Sequence, residues 1–312
     1  MILPAHIQQK VNDLYVGLNK EVLISRRVQL TQKYKTSQAV NRSVFESKND
    51  SKVYAISRMP ATFAVICTLL GDLISQGKIK EISSVVDIGS GTGAGYFACK
   101  QVFDDVDVAL FERDKNMIDV FDNFETGESV KRFDVLKDDI NIKADLVMSN
   151  YVFSELNEEG RKIALQKMID SSNKYVLIVD TGTPRTYENF MKLKKMAIDL
   201  GYRVVAPCES DKCGLKNDYC QFYARVERSN LLKISKSAEL SYEDEKYFYL
   251  LISKDSEIEK VSERRVIRRP QIKTNFVDLK LCTELGVIDE KITKSDKEIY
   301  RKARKIKINE LL

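Results

Sequence analysis

At 312 residues the chain is long enough for one large α/β domain with an appendage, or for two modest domains. Apolar residues make up 43% and charged residues 31%, an ordinary globular balance, and no run of about 18 apolar residues reads as a membrane span. With no tryptophan and a single histidine, His6, histidine acid–base chemistry and His-rich metal sites are disfavoured. The formal charge of +5 is unevenly placed: residues 256–312 carry 15 Lys/Arg against 10 Asp/Glu, and the rest of the chain is balanced. A localised basic surplus is the electrostatic footprint of a nucleic-acid partner, or else a solvated lysine-rich surface. Met1–His6 has neither a basic region leading into an apolar core nor an Arg-rich, acid-poor character. A cytoplasmic setting, no membrane partner and a monomeric state are therefore expected.

Residues 1–80 read as a helical region, with Ile7, Val11, Leu14, Leu18 and Val22 at helical spacing. The polar stretch Thr36–Lys52 reads as a loop. Pro60 is expected in the first turn of a helix whose apolar body is Phe63–Ile74. Arg58, just ahead of it, reads first as a helix-entry salt-bridge partner and second as a lid over a cofactor or RNA phosphate. From Ser83 the pattern alternates strand and helix, which implies a parallel sheet covered by helices. Strands are predicted at 85–88, 106–111, 130–133, 144–149, 175–179, 202–206 and 247–253, with helices at 94–103, 117–124, 158–171 and 187–200. Beyond Lys254, Phe276–Cys282 and Val287–Thr293 look like a hairpin across Glu284-Leu285-Gly286, followed by a basic helix over 300–308. The expected division is 1–80, a main domain at 81–255 with a cysteine-rich loop at 207–220, and a small β-rich basic appendage at 256–312.

Chemistry concentrates where the run Val85-Val86-Asp87-Ile88 closes in Gly89-Ser90-Gly91-Thr92-Gly93. A strand, a tight glycine turn and a helix start are implied, and the absent Cβ atoms let a ligand approach the main chain. Asp87 and the close G-x-G-x-G spacing depart from the dinucleotide pattern. A carboxylate there would repel a pyrophosphate but suits a ligand carrying an ammonium group. The turn resembles motif I of the class I methyltransferases, whose methyl donor, S-adenosyl-L-methionine, carries one. Glu112 follows the turn by about 20 residues, where an acid commonly accepts hydrogen bonds from ribose hydroxyls, and it argues against reading Arg113 as a partner for the 2′-phosphate of NADP. Asp134, after the third strand, stands where such enzymes hold the adenine amino group. Asp145–Tyr151 resembles their fourth-strand motif.

Asn150-Tyr151 keeps two elements of the Asn-Pro-Pro-Tyr motif that orients a target amino group, without its prolines. These two are the candidate catalytic residues, with Asn150 alternatively a cap of the next helix. The ends of strands four and five, 149–151 and 180–184, contain no cysteine, which argues against a cytosine-C5 mechanism.

Cys67 and Cys99 lie on apolar helix patterns and read as core residues. Cys208, Cys213 and Cys220 fall in or beside a polar loop, and Cys282 in the appendage hairpin could add a fourth thiolate. In a reducing compartment such clustering favours metal over disulfides. Cys208-x4-Cys213-x6-Cys220 offers no clean knuckle pair and no histidine is near, so an iron–sulfur cubane is preferred over zinc.

Tyr54-Ala55-x-x-Arg58-Met59-Pro60-Ala61-Thr62, Val86–Gly93, Gly182-Thr183-Pro184, Val205–Cys208, Cys213, Cys220-x-Phe222, Tyr242–Lys246 and Leu281–Thr283 occur together and in order. In this combination the chain resembles the methyltransferase-like protein family of the mitochondrial small ribosomal subunit and its bacterial relatives. The resemblance implies a Rossmann-like class I methyltransferase fold with a seven-stranded, mostly parallel sheet, a [4Fe–4S] cluster on Cys208, Cys213, Cys220 and Cys282, and association with the small ribosomal subunit or its rRNA. Asp87, Gly89, Gly91, Gly93 and Glu112 would line the cofactor site. Other members often carry a histidine soon after the first cluster cysteine; here Glu209 and Ser210 stand instead. The acceptor face would lie near Asn150, Tyr151 and Asp180, and Arg264, Arg265, Arg268, Arg269, Arg301, Lys302, Arg304 and Lys305 would bind rRNA phosphates. Two alternatives from other classes are a non-catalytic assembly factor with a retained cofactor site, and a small-molecule methyltransferase with a structural zinc.

Overall fold

A computed structural model of the chain describes residues 1–36, 41, 43–208, 213, 215, 218–254 and 264–312. Glu209 and Ser210, most of the cysteine-bearing loop and the start of the basic tail lie outside the described residues. Internal contacts group the chain into two units, Met1–Thr181 with Tyr223–Tyr247, and Gly182–Phe222 with Phe248–Leu312.

The first unit is built on β1 (Ser84–Ile88), β2 (Asp107–Glu112), β3 (Val130–Arg132), β4 (Ala144–Asn150) and β5 (Ser172–Thr181). They run parallel in the order β3-β2-β1-β4-β5. Every residue of β4 is buried, as expected of a strand covered on both faces. The helices α4 (Ala94–Val102), α5 (Lys115–Asp122) and α6 (Glu158–Asp170) alternate with these strands. Strand order reverses between β1 and β4, and at such a switch point the connections leave in opposite directions and open a crevice at the carboxyl ends of the strands. This is the Rossmann-like topology expected from the sequence.

Ahead of the sheet lie α1 (Ala5–Asp13), α2 (Lys20–Lys35) and α3 (Lys48–Ser75). The loop expected over 36–52 therefore ends earlier than its polarity suggests. Ser47 and Asp50 form a reciprocal capping box, each side chain taking the other's backbone N–H, and Arg26 anchors Asp50 at 2.6 Å. Pro60, expected in a first turn, sits inside α3. Its missing N–H leaves the Ile56 carbonyl without its usual helical donor. The strong start signal at Ser47 and tight burial on both sides of the proline hold the helix through that defect. By length and composition α3 could cross a bilayer, but 83% of its most apolar window is buried within the protein, as in a core helix.

Two elements of this unit were absent from the sequence reading: β7 (Phe222–Glu227) and α8 (Asn230–Lys236). Val226 and Leu232 pack against Ala61 and Ala64 of α3. β7 pairs with β8 (Tyr242–Ser253), a strand that starts in the first unit and ends in the second.

In the second unit α7 (Pro184–Asp199) starts with Thr183 as cap and Pro184 in its first turn. β6 (Arg203–Ala206) runs antiparallel to the end of β8. The predicted hairpin is present as β11 (Phe276–Thr283) and β12 (Gly286–Thr293), extended by β9 (Arg265–Val266) and β10 (Gln271–Ile272) into a four-stranded antiparallel sheet. Burial alternates along β11, so Val277, Leu279 and Leu281 face a core shared with Tyr300, Ala303 and Ile306, while Asp278, Lys280 and Cys282 point the other way. The final helix, α9 (Lys297–Ala303), begins three residues before its predicted start because Asp296 caps it.

Replacing Ser47 with alanine removes one arm of the capping box. The expected result is a loss of about 1 kcal/mol in urea unfolding with an unchanged denaturant slope; an unaltered midpoint would show that the cap does not hold α3.

Candidate functional site

The crevice at the ends of β1, β2 and β4 is an open cleft of about 790 Å³, part of it solvent, with Gly89, Gly91, Glu112, Asp134, Asn150 and Glu155 among its walls. Asp87 lies just behind the wall residues Ile88 and Gly89 and is fully buried. Oδ1 of Asp87 accepts a hydrogen bond from Asn150 Nδ2 at 3.1 Å, while Oδ2 has no partner. Burial, with Glu112 adding to it against the Asn150 hydrogen bond, pushes the Asp87 carboxyl up to about 7. Gly89 takes a left-handed φ of 72°, and a Cβ there would overlap Val152, which follows β4. Gly95, in the first turn of α4, has a different role: a Cβ on it would strike both Asp87 Oδ2 and Asn150 Nδ2. The sequence reading did not single out Gly95, which lies beyond the motif's last glycine.

Glu112 accepts from the N–H groups of Gly91 (2.8 Å) and Asp114 (2.7 Å), bridging the turn to the end of β2. Burial raises its pKa nonetheless. Asp134 lines the cleft while accepting from Leu136 N–H and pairing with Lys137 at 3.5 Å. Asn150, read alternatively as a helix cap, instead holds Asp87, and its own Oδ1 is buried without a partner. Tyr151 has a left-handed φ of 63°, a conformation that costs a bulky side chain energy, and its buried hydroxyl has no partner. Arg58 lies 5.8 Å from the Tyr151 ring and pairs with Glu245 at 2.8 Å, from the middle of α3 rather than from a helix entry. Asp180 accepts from Ser154 and Thr181 N–H groups at 2.7 Å each.

Two cleft residues were missed by sequence reasoning, Glu155 and Tyr34. Burial pushes Glu155 up to about 8, Glu112 and Asp180 add to it, and the Tyr34 hydroxyl hydrogen-bonds it in opposition. Tyr34 and Tyr54 stand 6.5 Å apart and Phe45 meets Tyr54 edge-on at 5.4 Å, giving the cleft an aromatic wall. No motif marks a tyrosine that reaches the cleft from α2. The cleft thus gathers Glu112 and Glu155, buried carboxyl groups whose ionisation is suppressed, with the unpartnered Asp87 oxygen buried behind its wall. That chemistry fits a ligand bringing positive charge and hydrogen-bond donors, such as the ammonium and ribose of S-adenosyl-L-methionine.

The second unit contains Cys208 and Cys220, half-buried, Cys213, exposed, and Cys282, half-buried. Burial pushes the Cys208 thiol up to about 11; Lys194, which hydrogen-bonds it, pulls it down, and Cys282 and Cys213 raise it further. Burial also raises Cys220, with Cys208, Cys282 and Cys213 adding. Cys208 and Cys220 thus each lie within electrostatic reach of the other three thiols, and Cys213 Sγ is 3.0 Å from the Tyr187 hydroxyl. Among the described residues, no group of three or more Cys, His, Asp or Glu side chains is closed around a metal position. The four-thiol donor set is chemically suited to zinc or an iron–sulfur cluster, but its arrangement here is looser than either site. Cys67 and Cys99 are buried in the first unit, as core residues should be.

The basic tail needs correction. Arg265 is only 2% exposed and hydrogen-bonds the carbonyls of Pro207 and Asn309, so it cannot reach a phosphate. Arg264 forks onto Glu290 at 2.8 Å, and Arg268 pairs with Asp218. Arg269, Arg301, Lys302, Arg304 and Lys305 remain exposed.

The sequence matches the family described as mitochondrial small ribosomal subunit Rsm22 over residues 48–311. The chain belongs to this family. No curated protein matches it. Among solved structures, the plantazolicin methyltransferase BpumL in complex with a pentazolic desmethylPZN analogue and SAH is 13% identical, covering 80% of this chain and 100% of that one at a TM-score of 0.46. The magnesium protoporphyrin IX methyltransferase ChlM of Synechocystis PCC 6803 with bound SAH is 11% identical, covering 76% and 99% at 0.43. TehB of Haemophilus influenzae is 17% identical, covering 59% and 62% at 0.38.

Asp87 supplies a pH test. Its folded pKa lies above the unfolded value, so the parent loses stability as pH rises from about 4 to about 7, relative to a chain with no acid there. Asp87→Asn should gain on the parent by about 1 kcal/mol per pH unit between pH 5 and 7, levelling off above, in urea titrations. Parallel curves would mean that Asp87 is not buried as described.

Proposed function

We propose that this Rsm22-family chain is an S-adenosylmethionine-dependent, methyltransferase-like protein acting on rRNA of the small ribosomal subunit, with a four-cysteine [4Fe–4S] cluster. The observation that carries the cofactor assignment is Asp87: a buried carboxyl at the switch point, with one oxygen tied to Asn150 and the other without a donor. A ligand ammonium in the neighbouring cleft would favour its ionised form. Glu112 would exchange its backbone contacts for ribose hydroxyls, and Asp134 would reach the adenine amino group.

When bound, the cofactor supplies an activated methyl group on a sulfonium, so the protein's part is mainly to bring donor and acceptor into line. Asn150 and Tyr151, with the buried Asp180 behind them, form the acceptor side. The described residues lining the cleft include no cysteine, in keeping with transfer to nitrogen or oxygen rather than through a covalent base adduct. The ribosomal partner follows from the family. The exposed cations of α9 and its following turn, Arg301, Lys302, Arg304 and Lys305, would meet rRNA phosphates. The reach of Cys208 and Cys220 to the other thiols supports the cluster, and zinc is the alternative occupant.

A non-catalytic assembly factor is the second reading. It is favoured by the way Asn150 is spent on Asp87 and Phe153 is packed into the core, leaving the fourth-strand motif without its usual base-orienting groups.

The deciding experiment supplies labelled S-adenosylmethionine and immature small subunits from cells lacking this protein to the anaerobically purified chain. Label entering rRNA, and lost with Asp87→Ala or Gly95→Ala at unchanged folding, is expected of the enzyme. Cofactor and particle binding without transfer would select the assembly factor. Separately, reversing the four cations of and after α9 should make the salt dependence of rRNA binding shallower by about 3 to 4 in log–log slope; an unchanged slope removes that surface from the interface.

A further inference from the structure

Arg265 and Arg268 carry the basic signature of an RNA-binding tail, yet their surroundings give them other work. β9 pairs with β11 so that Arg265 lies directly opposite Cys282, and residues opposite one another on adjacent strands share a face. From that position Arg265 Nε donates to the Pro207 carbonyl at 3.3 Å, one residue ahead of Cys208. Its Nη1 donates to the Asn309 carbonyl at 3.0 Å, where residues 309–312 run along β9. One guanidinium thus joins the Cys282 strand to the segment that presents Cys208. Three residues on, Arg268 Nη2 donates to the Tyr219 carbonyl at 3.0 Å and pairs with Asp218 at 2.5 Å, gripping the two residues before Cys220. Lys280, on the Cys282 face of β11, also acts on Asp218. A second buried cation, besides Arg265, is Lys194 of α7, which is 3% exposed and hydrogen-bonds Cys208 itself.

We propose that Arg265 and Arg268 are the positioning residues of the four-cysteine site, fixing Cys208, Cys220 and Cys282 relative to one another. With Lys194 they set positive charge around thiols whose bound group leaves the assembly net negative. Four thiolates around a divalent zinc ion or a doubly charged cubane leave two negative charges to be offset, so the site matches both groups in sign. Planar guanidinium forks bridging backbone carbonyls suit this task, since they hold chain segments without titrating. The inference rests on the four-thiolate reading above and is separable from it.

The test uses the full-length protein purified without oxygen. Iron, sulfide and zinc are measured per chain, and each cysteine is mapped by alkylation and mass spectrometry. Arg268→Gln and Arg265→Met should weaken metal retention against a chelator by about tenfold or more, while Arg269→Gln, on an exposed neighbour, leaves it unchanged. Cys208, Cys220 and Cys282 should label faster in the metal-free variants, with Cys67 and Cys99 still protected. Arg268→Lys, which keeps the charge and one donor, should recover most of the metal. Arg265→Lys, which cannot span two carbonyls, should not.

Full metal retention in both Arg268→Gln and Arg265→Met overturns the proposal. Should Arg265→Met expose Cys67 and Cys99 through unfolding, Arg268→Gln decides alone. A parent that binds no metal defeats the four-thiolate reading instead, and unchanged labelling of the three cysteines in the variants then overturns the positioning role as well.

Discussion

Everything in the first unit turns on keeping a carboxyl group buried at the point where strand order reverses. Asp87 has to lie at the end of β1 with one oxygen on Asn150 from β4, and the glycines around it exist to make that geometry possible. Gly89 lets the loop after β4 close over the turn, and Gly95 clears the space that the carboxyl and the amide occupy. A buried acid without full hydrogen bonding is costly, which is why its proton is held so tightly. Sites that carry such a cost are commonly those where a ligand relieves it.

The neighbouring acids extend the same logic. Glu112, Glu155 and Asp180 all have raised pKa values from burial first, and the first two also feel one another. A cluster of this kind rewards a cation, whose arrival favours the ionised forms. It sets the cleft apart from the anion-binding glycine turns of dinucleotide folds.

Much of this was legible in the chain. The apolar run into Gly89-Ser90-Gly91-Thr92-Gly93 marks its own strand and turn, and the β1-to-β5 alternation follows from hydrophobic patterning alone. Other parts were hidden for physical reasons. Pro60 looks like a helix start because its ring fits a first turn, but the capping box at Ser47 sits in a polar stretch that reads as loop. β7 is short and follows a loop, so its alternation has little length in which to show. Glu155 and Tyr34 meet across more than a hundred residues, and no local spacing encodes that. The tail charges misled in another way: counting Lys and Arg cannot reveal that Arg264, Arg265 and Arg268 are already committed to Glu290, to carbonyls and to Asp218.

The pairing of β9 with residues 309–312 bears on the order in which the protein is made. Leu312 donates to the Arg264 carbonyl at 2.9 Å and Val266 to that of Glu310 at 3.0 Å, so the strand opposite Cys282 is secured by residues that follow it far along the chain. The strands that build the cofactor cleft are complete more than a hundred residues earlier. A nascent chain would therefore hold a formed crevice while the strand opposite Cys282 was still unsecured. Closure of the sheet around Cys282 thus waits until residues 309–312 have been made.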